Sequence, residues 1–259
     1  MIGRPVVILL HGGPGFDHSS MKPDFDPLSD TAQLIYYDHR GQGRSDLSEP
    51  SRWHLDQWAD DLYELIDVLG IEQPIVLGLS FGGFVAQNYA IRHPGRLHKL
   101  ILASTVARMR REPVYAAFER FGGQHAREVA ETFWTDPSSA NMEVYMRECM
   151  PLYTRTPRDP DASRRSVMRP EVIEHFARDG GENWRFDYRE GLGSVTAPTL
   201  VTGGALDPVT PVEVIREMAD CIPNCRYVEY ADAGHGVHRD TDAVFDVLRE
   251  FITSSTEPR

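Results

Sequence analysis

Lysine is almost missing from this chain. Lys22 and Lys99 stand alone among 27 basic residues, the rest being arginine, and 39 acidic residues bring the net charge to −12. That balance cannot build the basic surface that neutralises phosphates, so it argues against nucleic acid or an anionic membrane as partner. Cysteine is scarce too. Cys149, Cys221 and Cys225 are an odd number without framework spacing, which excludes a disulfide scaffold and points to a reducing compartment. Cys221 and Cys225 flank Pro223 with no histidine beside them, so they read as ordinary thiols rather than metal ligands. Long apolar runs are also absent. The N-terminal run VVILL ends at His11, too short for a signal core or a membrane span, and the cytoplasm is the expected compartment.

What is present suits a globular protein: 41% hydrophobic and 25% charged over 259 residues, enough for one α/β domain with an insertion. Six apolar runs read as strands: PVVILL (5–10), QLIYYD (33–38), PIVLGL (74–79), LHKLILAS (97–104), PTLVTGG (198–204) and CRYVEY (225–230). Several are too continuously apolar to have a wet face, which marks a parallel sheet covered on both sides. Helical patterns fit 53–69, 82–92, 211–219 and 240–252. In the first, Trp58, Leu62, Leu65, Ile66 and Leu69 share a face and Gly70 serves as C-cap.

From 106 to 189 the strand pattern lapses. This stretch is rich in arginine, glutamate and aromatics and reads as a helical insertion, with RTPRDPDASRRS (155–166) as an exposed loop. The expected layout is a core domain of residues 1–105 and 190–259 interrupted by a helical cap, 106–189.

Straight after the first strand comes HGGPG (11–15), which is either a tight surface turn or a place where backbone N–H groups approach a developing charge. The third strand runs into G-L-S-F-G (78–82) and a helix. G-x-S-x-G at a strand-to-helix junction is a nucleophile elbow: the turn carrying Ser80 is crowded, so its neighbours two positions away must be small. A serine hydroxyl needs a base and an acid that orients it, in the order Ser, Asp/Glu, His at later strand ends. Asp207 ends the fifth strand and His235, in DAGHG, follows the sixth. A helix cap would account for Asp207 alone, but not for three such residues in order. An acyl-transfer serine also requires two oxyanion donors; the N–H groups of Phe81 and Gly13 stand where they are needed.

HGGPG, DHRGQGRSD (38–46), GLSFGG (78–83), DPVTP (207–211) and DAGHG (232–236) together resemble the α/β-hydrolase superfamily, in its proline iminopeptidase-like branch. The resemblance implies the α/β-hydrolase fold, a mostly parallel sheet flanked by helices, with 106–189 as the cap over the site. It also implies cap carboxylates that hold a substrate's free α-amino group, for which Glu143, Glu148, Glu171 and Glu174 are available. Two features depart from the branch. Phe81 stands where many members have tryptophan, and the chain starts at the family's third strand, without the N-terminal hairpin. QLIYYD would then lie at a sheet edge, where a homodimer could pair.

The function expected on these grounds is a serine hydrolase working through an acyl-enzyme on a small molecule or short peptide. The resemblance favours an aminopeptidase cleaving N-terminal proline. A carboxylic ester or lactone hydrolase is the alternative, and a ligand-binding receptor or lyase on the same fold is the more remote one. No cofactor or metal is called for. His235 and His238 lack further ligands, and HGGPG lacks the Lys-Ser/Thr of a phosphate loop. Asp38 and Arg40 read as residues that tie loops together near the site.

Overall fold

Six strands of five or six residues form one sheet: β1 (Val6–Leu10), β2 (Gln33–Tyr37), β3 (Ile75–Leu79), β4 (Lys99–Ala103), β5 (Thr199–Gly204) and β6 (Cys225–Tyr230). They belong to a computed structural model that describes residues 3–157, 159 and 161–255. All neighbouring strands are parallel, in the order β2-β1-β3-β4-β5-β6. β3, β4 and β5 are buried along their whole length, which is why their sequences are apolar apart from Lys99, Thr199 and Thr202. Strand alternation divides those side chains between two cores. Ile8, Leu10, Val76 and Leu100 face one, and Val7, Leu9, Ile75 and Leu77 face the other.

The first helices are α1 (Leu55–Val68) and α2 (Phe81–Arg92). Between β4 and β5 lie α3 (Arg111–Thr135), α4 (Ser139–Glu148), α5 (Ala162–Arg165), α6 (Pro170–Ala177) and α7 (Arg189–Leu192). The chain ends with α8 (Val212–Asp220), α9 (Val237–Asp240) and α10 (Ala243–Thr253). α1, α2 and α8 bury their apolar faces in the first core; α9 and α10 bury theirs in the second with Phe25 and Leu28. α1 begins at Leu55 because the His54 ring accepts the Gln57 N–H. It stops at Gly70, whose φ of +65° lets the Gly70 and Ile71 N–H groups bond back to Asp67 and Ile66 carbonyls.

Two expectations need correction. The helix expected over 240–252 is broken, because Thr241 is extended (φ −155°, ψ 133°) and separates α9 from α10. The exposed loop expected over 155–166 contains α5, a single turn; positions 158 and 160 lie outside the described residues. β2 does lie at a sheet edge. Among the described residues no helix is long and apolar enough to cross a membrane. The three thiols are free.

The strand order positions the site. β1 sits between β2 and β3, so the chain reverses direction across the sheet at β1. Leu10 is level with Gly78 in the β1–β3 register, and the residues that follow the two strands emerge side by side. Crevices at such a reversal, beyond the carboxyl ends of the strands, are where open α/β sheets bind ligands.

Candidate active site

Ser80 occupies the turn between β3 and α2 with φ 53° and ψ −119°, a conformation that non-glycine residues rarely adopt. The turn is over-determined. The Ser80 N–H donates to Ala103 O at 2.9 Å, and Ser80 O accepts from the Gly83 N–H and the Thr105 hydroxyl, both at 2.8 Å. A Cβ on Gly78 would stand 2.5 Å from Gly82 O, and one on Gly82 would collide with the Leu10 carbonyl. The small residues on either side of the serine are therefore a steric requirement of the fold.

His235 Nε2 lies 2.9 Å from Ser80 Oγ, and His235 Nδ1 lies 2.8 Å from Asp207 Oδ2. A carboxylate only accepts, so Nδ1 carries the proton and Nε2 is left to accept from the serine hydroxyl. Asp207 is buried and fully engaged. Its Oδ1 accepts the Val209 and Thr210 N–H groups at 2.7 and 2.9 Å, and its Oδ2 accepts the Thr210 hydroxyl at 2.6 Å. It closes its own turn and does not cap α8, whose N-cap is Pro211. The loop carrying His235 is held from two sides: its N–H donates to Tyr153 O at 2.6 Å, and Asp240 Oδ2 accepts the Gly234 N–H at 2.8 Å.

HGGPG lies against Ser80, with the Cβ direction of Gly12 pointing to Ser80 Cβ. His11 is locked neutral: its Nδ1 is 2.7 Å from Gly12 O and its Nε2 accepts the His39 N–H at 3.1 Å, while burial pulls its pKa down. Gly13 has φ +147°, and a side chain there would press on the Gly15 and Phe16 nitrogens. Gly15 is clamped at both ends, its N–H by Gln42 Oε1 at 2.6 Å and its carbonyl by the Arg169 N–H at 2.7 Å. Asp38 accepts from the N–H groups of His18 and Arg44 at 2.7 and 2.8 Å, and Arg40 forms a bidentate pair with Asp61. Asp38 ties loops together, as expected, whereas Arg40 ties its loop to helix α1.

The Phe81 and Gly13 N–H groups have no hydrogen-bond acceptor among the described residues. The Phe81 ring points away from the site. It is fully buried, edge-on to Trp58 and Phe176 at 5.1 and 5.3 Å. The exchange of tryptophan for phenylalanine at this position therefore falls on core packing and not on the cavity wall.

Ser80 and His235 open into a cavity of about 130 Å³. Gly12, Gly13 and Leu79 line it from the strand ends; Phe133, Trp134, Met142, Tyr145 and Met150 line it from the helical segment. Burial pushes the Tyr145 phenol well up, so it stays neutral, and its hydroxyl pairs with that of Tyr153 at 2.8 Å. Among the described residues no carboxylate lines the cavity. Glu143, Glu171 and Glu174 are exposed elsewhere, and Glu148 pairs with Arg147 at 2.8 Å. Among the described residues Arg239 is the one lysine or arginine on the wall. Thr210 and Tyr153 were not picked out by sequence reasoning. Thr210 had a signal, standing three residues after Asp207 as a turn partner does. Tyr153 acts on His235 through a backbone carbonyl, which no residue pattern announces.

A family model described as the alpha/beta hydrolase fold matches residues 5–241. The chain is 30% identical over 260 residues to proline iminopeptidase PfmaB of Pestalotiopsis fici, covering 96% of this chain and 92% of that protein. It is 27% identical to the putative carbamate hydrolase RutD of Caulobacter vibrioides, over 90% of this chain and 84% of that one. A thermophilic esterase structure from Thermogutta terrifontis superposes with a TM-score of 0.73 at 28% identity, covering 96% of this chain and 89% of that one. Three similar proteins thus have names that imply three different bonds.

Proposed function

The chain belongs to the α/β-hydrolase fold family, and from that premise we propose that it is a serine hydrolase of carboxylic esters and lactones. Ser80 attacks the carbonyl, His235 takes its proton, and Asp207 holds the imidazole in the required tautomer and stabilises the imidazolium. The Gly13 and Phe81 N–H groups receive the oxyanion; loss of one such donor costs on the order of 10²–10³ in rate. His235 then protonates the leaving alkoxide and activates the water that releases the acyl group. Residues 106–189 serve as the cap that walls the acyl side and keeps bulk water out.

The observation that carries the choice of substrate is the wall of the cavity. An N-terminal proline brings a secondary ammonium, and a buried ammonium needs a carboxylate beside it. Among the described residues the lining has none, and its one lysine or arginine, Arg239, is paired with Asp24 outside the cavity. An uncharged acyl group meets no such penalty among Phe133, Met142 and Met150. The second reading, cleavage of N-terminal proline, is supported by the name of the 30%-identical relative.

The test is a turnover panel: p-nitrophenyl acetate and butyrate, a simple γ-lactone and proline p-nitroanilide, each repeated with Ser80→Ala. Ester or lactone turnover that disappears with Ser80→Ala is the expected result. Efficient, Ser80-dependent cleavage of the proline amide would move the second reading to the front. Turnover that survives Ser80→Ala would refute the mechanism.

A further inference from the structure

Next to the catalytic cavity lies a wider groove of about 600 Å³, and among the described residues only two border both: His238 and Arg239. Arg239 sits four residues after His235, on α9. Its guanidinium is mostly buried and fixed on one edge, Nε donating to Asp24 Oδ2 at 2.7 Å and Nη2 to Ser20 O at 2.9 Å. Nη1 has no acceptor among the described residues. A guanidinium has five N–H donors, so this pairing leaves its outer edge open.

His238 stands against the same Asp24 carboxylate. Its side chain is only 6% exposed, and its Nε2 is buried without a hydrogen-bond partner, 3.6 Å from Asp24 Oδ2. Burial and the neighbouring Arg239 and His235 drive its pKa well down, so it is a neutral imidazole. That nitrogen has no accessible surface and faces Asp24, so the donor open to a ligand here is Arg239 Nη1. The Asp24 carboxylate is occupied by Arg239 Nε and lines the groove, not the cavity.

We propose that Arg239 forms an anion subsite, so that the substrate is an ester or lactone carrying a second, ionised carboxylate. The reacting carbonyl lies at Ser80 and the carboxylate at the border between cavity and groove, accepting from Arg239 Nη1. This rests on the ester reading above. A neutral ester would leave that donor unused. An ammonium substrate would find a donor there and no carboxylate on the cavity wall.

Two measurements test it. The first compares p-nitrophenyl hydrogen glutarate with p-nitrophenyl valerate, of similar length but uncharged, in the wild type, Arg239→Lys and Arg239→Met. The readout is the ratio of the two kcat/KM values, in which general damage to the fold cancels. The ratio is expected to fall about 10- to 100-fold in Arg239→Met, the range for one charge-assisted hydrogen bond, with part of it kept by Arg239→Lys. A ratio that stays within twofold makes Arg239 only a structural pin on Asp24 and overturns the proposal.

The second measurement needs no turnover: calorimetric binding of glutarate to Ser80→Ala and to Ser80→Ala/Arg239→Met. Binding to the first that weakens at least tenfold in the second is expected. Absent or unchanged binding sinks the subsite even if ester hydrolysis stands. Binding without any Ser80-dependent ester turnover instead overturns the ester reading and leaves the subsite.

Discussion

The loops at the strand ends and the helical segment between β4 and β5 build two halves of one cavity from different materials. On the strand-end side, Gly13, Ser80, Asp207 and His235 stand at backbone angles and hydrogen-bond distances that allow little else. Gly78 and Gly82 cannot accept a Cβ. On the other side, Phe133, Trp134, Met142 and Tyr145 supply apolar surface, with Phe133 stacked on Tyr145 at 4.2 Å and Trp134 edge-on to Tyr145. Chemistry on the first side depends on atoms at fixed points. Recognition on the second depends on volume, which several side chains can supply. One half should therefore fail sharply under conservative change, and the other should drift.

The largest effect is expected from Asp207→Asn. The amide preserves shape and can keep the Val209 and Thr210 N–H contacts, but it presents a donor or a neutral acceptor to His235 Nδ1. The imidazole loses its tautomer and the imidazolium loses its counter-charge. In another serine hydrolase the same exchange lowers kcat about 10⁴-fold. Steady-state turnover of p-nitrophenyl butyrate, alongside the unfolding midpoint, checks it. A loss below about 100-fold with the fold intact would remove Asp207 from the mechanism.

A smaller effect separates the two halves by pH. His11 and His39 pack together at 4.4 Å behind the strand-end loops, His238 lies apart on α9, and burial lowers the pKa of each. The folded state keeps them neutral, while the unfolded chain protonates near pH 6.5. Their contribution to stability is thus complete above pH 6.5 and is lost as pH falls toward the folded pKa, at about 1.4 kcal/mol per histidine per pH unit. In the helical half the matching group is His175 on α6, only partly buried, whose pKa burial also lowers. Burial pushes the Cys149 thiol up to about 12 and raises the Tyr145 phenol, so both are neutral in either state below pH 7. Urea unfolding at pH 7.5 and 5.5 is the measurement, on wild type and His39→Gln. The variant should lose about 1.4 kcal/mol less between the two pH values. The carboxylates titrate alike in both proteins and cancel. Equal losses would mean that His39 takes up its proton in the folded state as readily as in the unfolded one.

The same contrast explains what could be read from the residues alone. The inner strands were legible because burial on both faces leaves few polar positions in a strand, and the edge strands β2 and β6 because their apolar and aromatic residues sit in short runs. The serine elbow was legible because Gly78 and Gly82 are forced by contacts under 3 Å. Asp207 and His235 were legible by order along the chain. The break at Thr241 and the turn of α5 were not, since both are decided by one residue's backbone angle or one short turn. The cavity wall was least legible. Phe133, Trp134 and Tyr145 are ordinary core residues by pattern, and only the packing of α3 and α4 turns them toward Ser80. The glutamates suggested by the resemblance fall outside that wall for the same reason: helix spacing says which residues share a face, not what that face meets.

The smallest effect expected is on acyl-chain preference, and it tests the softer half directly. Trp134 is nearly buried, lines the cavity and packs edge-on against Tyr145 and Trp184 at 5.8 and 5.7 Å. Trp134→Ala would leave a void large enough to destabilise the fold by about 3–5 kcal/mol, which confuses any rate measurement. Trp134→Phe removes one ring and keeps the aromatic contact with Tyr145. Against a series of p-nitrophenyl esters from acetate to octanoate, it should shift the ratio of octanoate to butyrate kcat/KM upward by about tenfold, the scale of one or two methylenes in an apolar pocket. Met142→Leu, which nearly conserves volume, should move the same ratio by less than threefold, in keeping with a cost under about 1.5 kcal/mol. If Trp134→Phe leaves the ratio where it was, the acyl chain does not run along α3 and α4. The helical segment would then cover the site without reading the substrate, and chain-length selection would have to come from Leu79, Val209 and the other strand-end residues.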